Sequence, residues 1–195
     1  MKSNELSAEA LMGIYALVKK DASIVVVTNP ETGIQYAVKS ITEYFTGFLS
    51  QLENGEVVMP GNLPTVGLRT IKGNQLSEGK FHVVEAIRTL FDTTLVAATD
   101  AALIAAPFAS VAPVQFKNGE VRVSQTGELL RLSGTDATNF KASTGNSDDF
   151  RTIVPVVLRP MTDISINFKL AGAATNFHAY KFEYRAIELV AIGKQ

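Results

Sequence analysis

Between Thr162 and Leu170 apolar and polar side chains alternate, with Ile164, Ile166, Phe168 and Leu170 pointing one way and Asp163, Ser165, Asn167 and Lys169 the other. The pattern predicts a half-buried strand. Tyr180, Phe182, Tyr184 and Ala186 alternate in the same manner with Lys181, Glu183 and Arg185, after which the apolar parity passes to Ile187, Leu189 and Ala191. A one-residue shift of this kind predicts a bulge at Ala186–Ile187. Two long amphipathic strands are not stable alone, so the rest of the chain must cover them with a second sheet.

The first third has a different period. Residues 7–20 read as a helix, with Ser7 as N-cap, Glu9 in the first turn, Lys19 and Lys20 in the last, and Leu11, Ile14, Tyr15 and Val18 on one stripe. That stripe can pack on its own domain or dock on a neighbouring subunit. Ile24 to Val27 form a β-branched run ended by the turn residues Asn29 to Gly33. Ser40-Ile-Thr-Glu43 fits a capping box, and Ile41, Tyr44, Phe45, Phe48, Leu49 and Leu52 follow at helical spacing, which predicts a second helix before Asn54-Gly55. Met59 to Pro64 lack any period and read as a linker. They divide the chain into an N-terminal helical or mixed arm, 1–60, and a β-sandwich domain, 61–195.

Strands are expected at Val66–Ile71 and Lys80–Asp92, followed by a short helix from Thr99 to Ala106, stopped before Pro107. Asn118-Gly119, between the runs Val114–Lys117 and Glu120–Ser124, predicts a type I′ hairpin. Gly127 allows a further turn into a strand over 128–133, and Phe150–Leu158 reads as a strand whose Pro155 suggests a sheet edge or a bulge. Residues 133–149 form the longest polar stretch and read as an exposed binding loop carrying Asp136, Phe140, Asn146, Asp148 and Asp149.

About eight short strands, joined by turns and without βαβ units, make the chain mainly β: an antiparallel sandwich of jelly-roll type with an N-terminal helical arm. Residues 81–192 resemble the single jelly-roll virion proteins of icosahedral viruses, particularly tailless bacteriophages. The resemblance is carried by Phe116-Lys-Asn-Gly-Glu-Val-Arg-Val, by Val157-Leu-Arg-Pro-Met-Thr-Asp-Ile-Ser-Ile-Asn-Phe and by Phe182-Glu-Tyr-Arg-Ala-Ile-Glu-Leu. It implies a capsid or vertex-type component that is made in the host cytoplasm, resides in the virion, and assembles with copies of itself and with other virion proteins. Subunit contacts are then expected at Leu11, Ile14, Tyr15, Val18, Tyr44, Phe45 and Phe48.

Composition narrows the alternatives. No cysteine is present, which removes disulfides, thiolate metal sites and cysteine nucleophiles. Eighteen basic residues against nineteen acidic ones, interspersed, offer no basic face for nucleic acid. The apolar run Leu95–Phe116 is interrupted by Asp100, Pro107 and Pro113 and does not predict a membrane span, and no signal peptide is visible. Only two histidines occur, His82 and His178. Glu85, three residues after His82 in a strand, would face the other side, so neither histidine reads as a metal ligand. Asp148, Asp149, Asp136 and Asn146 carry hard oxygen ligands, but at no calcium-loop spacing, and read as solvated. No nucleophile elbow, Walker loop or dinucleotide fingerprint occurs. The sequence therefore points to a structural protein with no cofactor and no catalytic centre, with a carbohydrate- or receptor-binding sandwich as the alternative and a β-scaffold enzyme behind it.

Overall fold

The computed structural model describes residues 6–51, 55–138, 150–174 and 177–194. The protein is mainly β, with one large antiparallel sheet facing a smaller one. Helix α1 (Ala8–Lys20) is followed by β1 (Val26–Thr28), β2 (Ile34–Phe48), β3 (Lys80–Asp92), α2 (Asp100–Ala105), α3 (Val114–Lys117), β4 (Glu120–Ser124), β5 (Glu128–Ser133), β6 (Arg151–Leu158), β7 (Ser165–Lys169) and β8 (Ala179–Lys194). The large sheet runs β1-β2-β8-β3-β6 and the small one β5-β4-β7. An isolated bridge, Glu56 to Asn167, and a hydrogen bond from Val57 N to the Ile166 carbonyl at 2.7 Å lay residues 56–57 along the free edge of β7.

The expected first helix is present: the Ser7 side chain accepts from Ala10 N at 3.1 Å, and Leu11, Ile14 and Val18 are buried. The expected second helix is a strand instead. Residues 34–48 are rich in β-branched and aromatic side chains, and β8 offers them a partner from Lys194, opposite Ile34, to Ala179, opposite Phe48, with one register shift at Gln35–Tyr36. Fifteen residues of paired backbone outweigh a local capping-box pattern. The large sheet thus takes strands from both sides of the expected boundary near residue 60.

Two turn expectations are corrected. Val114–Lys117 is helical, Asn118 closes it at φ −86°, and Gly119 is not left-handed, so no type I′ hairpin forms there. Pro113 starts that helical turn, and Phe116 is locked in it by Phe91 and Phe168, whose ring centroids lie 4.7 and 5.0 Å away. The hairpin is one strand later, where Thr126 (φ 52°) and Gly127 (φ 132°) join β4 to β5. Val66–Ile71 form no strand; turns there make single bridges from Arg69 to Phe45 and Thr65.

The expected bulge at Ala186–Ile187 is also absent. Pairing of β8 with β2 runs through both residues without a shift, and the irregularity lies in β3 between Val84 and Ala86. Both parities of β8 are apolar because both faces of the large sheet are covered. Phe182, Tyr184 and Ala186 join Phe45, Ile87, Phe91, Val121, Ile166 and Phe168 between the sheets. Ile187 and Leu189 join Tyr36, Val38 and Phe81 beneath Leu6, Leu11, Ile14 and Val18 of the N-terminal segment. A third cluster, Phe48, Leu68, Leu103 and Ala179, seats α2 on the sheet. Strand β6 is an edge strand, one of the two placements that Pro155 suggested.

Candidate functional site

Alternation along three neighbouring strands places Glu43 with Ile41 and Phe45, His82 with Val84, and Glu188 with Tyr184 and Ala186, on the face turned toward the small sheet. His82 and Glu188 stand directly opposite each other in the β3–β8 register. The three side chains converge where a cleft of about 720 Å³ opens, lined by Pro60, Thr70, Ile71, Lys72, Gln75, Lys80, Met161 and Asp163 besides Glu43 and His82. Hydrogen bonds from Met161 N to the Leu76 carbonyl (3.0 Å) and from Ile164 N to the Asn74 carbonyl (2.7 Å) hold the 60–77 segment over this end of the sandwich.

The polar contacts are dense. His82 Nδ1 lies 3.0 Å from Tyr184 Oη, and Nε2 lies 3.3 Å from Glu188 Oε2. Lys80 Nζ reaches the same carboxylate oxygen at 2.9 Å. Burial pushes His82 down to about 4, against the pull of Glu188, so the ring is neutral at neutral pH. Burial also raises Glu43, with Glu188 adding to the rise and a hydrogen bond from Thr70 opposing it. For Glu188 burial works upward, but Lys80 and then His82 outweigh it and hold the carboxyl below its ordinary value. Tyr184 is raised well above the usual phenol range by burial and by both glutamates. A neutral imidazole and two carboxylates facing one another form a cation-holding arrangement.

The residues expected at subunit contacts are spread through the chain's own packing. Leu11, Ile14 and Val18 are buried on the sheet-facing side of α1, Phe45 between the sheets and Phe48 in the third cluster. Tyr15 is half-buried and donates to Glu85 Oε2 at 3.2 Å; Tyr44 is half-buried and its hydroxyl accepts from Gly67 N at 3.0 Å. Asp136 accepts from Ser133 Oγ at 2.8 Å, while Phe140, Asn146, Asp148 and Asp149 lie outside the described residues. Glu85 faces α1, away from His82, and pairs with Lys19 at 3.0 Å.

Sequence reasoning weighed His82 but did not read it as a ligand, and it missed both of the acidic neighbours that the fold brings to it. Reading 40–52 as a helix gave Glu43 a cap role, whereas strand alternation puts it on the buried face. The supposed bulge hid Glu188; with unbroken parity it follows Tyr184 and Ala186 on the apolar side, and a carboxylate there is the signal. No family model, curated protein or solved structure matches the chain.

Proposed function

We propose that the protein is a self-assembling structural component of virion-shell type, built on a single jelly roll. The observation that carries this reading is the order of pairing. Counting residues 56–57 as a strand and leaving β1 aside, eight strands follow in chain order: β2, 56–57, β3, β4, β5, β6, β7 and β8. The first pairs with the last, the second with the seventh, the third with the sixth and the fourth with the fifth. Rolling one long two-stranded ribbon into two facing sheets would produce such an order, and this supports a reading as a jelly roll, the fold of many capsid, lectin and cupin domains.

Among those uses, assembly is favoured by the apolar side chains left outside. Val154, on edge strand β6, is 84% exposed; Val25 and Val26, at the opposite edge, are 67% and 45% exposed. Valines on open sheet edges are a liability for a monomer and a resource for a subunit. Pro155 interrupts the donors of the β6 edge, so contacts there would run through side chains rather than through a continued ladder. Copies of the chain and other shell proteins are the partners this reading implies, with the virion as its place of residence.

Light scattering and electron microscopy of the full chain across concentrations test the reading. Closed oligomers or particles are expected, and Val154→Lys combined with Val26→Lys should shift them toward monomer. A monomer at every concentration would overturn it, and tight binding on a glycan array would move the assignment to a lectin-like sandwich.

A further inference from the structure

We propose that Glu43, His82 and Glu188 bind one divalent transition-metal ion of the zinc and manganese class, at the floor of the cleft beneath the 60–77 segment. The inference stands apart from assembly, since it rests on the cleft alone.

One ligand atom from each of the three residues lies within 4.8 Å of the other two. Ligand atoms around such an ion sit about 3.4 Å apart when the bonds are about 2.1 Å, so modest side-chain rotations close the set. The ligands come from β2, β3 and β8, which neighbour one another in the sheet, and the backbone ladder fixes their spacing before any ion arrives.

A second observation is independent of the cluster's composition: His82 and Glu188 are each held by a group outside it. Tyr184 Oη meets His82 Nδ1, which leaves Nε2 turned toward the carboxylates. Lys80 anchors Glu188 through an ion pair at 2.9 Å. Metal-binding histidines are oriented in this manner through their other ring nitrogen. One nitrogen with two oxygens suits a borderline ion; calcium and magnesium prefer shells made of oxygen alone.

Among the described residues, Lys80 and Lys72 are the cations lining the cleft, and Asp163, held by Gln75 Nε2 at 2.6 Å, is a further carboxylate on its wall. The Lys80 ammonium already supplies positive charge to Glu188, and its side chain is partly exposed, so it can swing outward as an ion enters. The cleft leaves room for water to complete the coordination shell.

The test is titration of untagged, chelator-treated full-length protein with Zn²⁺, Mn²⁺ and Co²⁺, by calorimetry and by cobalt visible absorption, with Ca²⁺ as contrast. One equivalent of Zn²⁺ or Co²⁺ is expected to bind, with Ca²⁺ at least tenfold weaker. His82→Gln and Glu43→Gln should each weaken binding at least tenfold, Lys80→Gln should tighten it, and His178→Gln should leave it unchanged. Glu43 is only half-buried, so its variant carries the test if His82→Gln does not fold. No binding of any of the three ions, or binding that survives both Glu43→Gln and His82→Gln, or is abolished by His178→Gln, would overturn the proposal.

Discussion

Ala186 and Ile187 are consecutive in β8, yet they are buried in different cores, Ala186 against the small sheet and Ile187 beneath α1. The helix is therefore a structural layer of the fold. Truncating Leu11 to Ala should lower unfolding free energy by about 2–5 kcal/mol, the usual cost of a buried leucine. Chemical denaturation checks this, and a loss below about 1 kcal/mol would mean that α1 is not seated on the sheet in solution.

A chain beginning at Gly61 would lack β2, the strand that pairs with the whole length of β8. It should fail to fold, leaving the apolar faces of β8 without their neighbour. Circular dichroism checks the outcome, and a cooperative melt of the shortened chain would contradict the pairing.

Gly119 is needed for close approach rather than for a left-handed turn. A Cβ at this position would collide with the Lys169 carbonyl oxygen and come within 3.1 Å of the Gln115 carbonyl oxygen. Gly119→Ala should cost about 1–3 kcal/mol through overpacking between β4 and β7, read as a lowered denaturation midpoint.

Glu183 lies on the α1 side of the large sheet, nearly buried, between Arg88 and Lys181, whose Nζ is 2.8 Å away. Glu183→Ala should destabilise by about 3–5 kcal/mol, because it strands two cations in a partly desolvated place. Adding Lys181→Met to that variant should recover part of the loss, and thermal melts of the single and double variants give the comparison.

On the small sheet, Arg131 and then Arg122 hydrogen-bond Glu120 and hold its carboxyl down to about 2. A carboxyl lowered on folding contributes stability that is fully present above its unfolded value, about 4.3, and is lost as pH falls through the folded one. The melting temperature of the wild type should exceed that of Glu120→Gln by a small, salt-sensitive margin above pH 5, shrinking toward pH 2. A margin that grows on acidification would contradict the triad.

Much of the fold was legible where one face of an element meets water. The Ser7-capped helix, the Thr99-capped α2, β7 and edge strand β6 with Pro155 all follow from local pattern. What failed was local pattern under long-range pairing. The Ser40–Glu43 motif yielded to a partner about 140 residues distant, and Asn118-Gly119 yielded to the rings around Phe116. The cluster of Glu43, His82 and Glu188 was illegible for the same reason, since its members meet only once three strands are in register.

Strand β8 is the last of the described strands in the chain and also the middle one of the large sheet, flanked by β2 and β3. Those two strands make no ladder with each other, so neither can find its place in that sheet until β8 lies between them. Such non-local order slows folding, because loop closure must precede most of the stabilising contacts. During synthesis Tyr36 and Phe81 emerge long before Ile187 and Leu189 of β8, which complete their core beneath α1. For that interval apolar side chains meant for the core lack part of their cover, an exposure fixed by strand order rather than by the stability of the finished molecule.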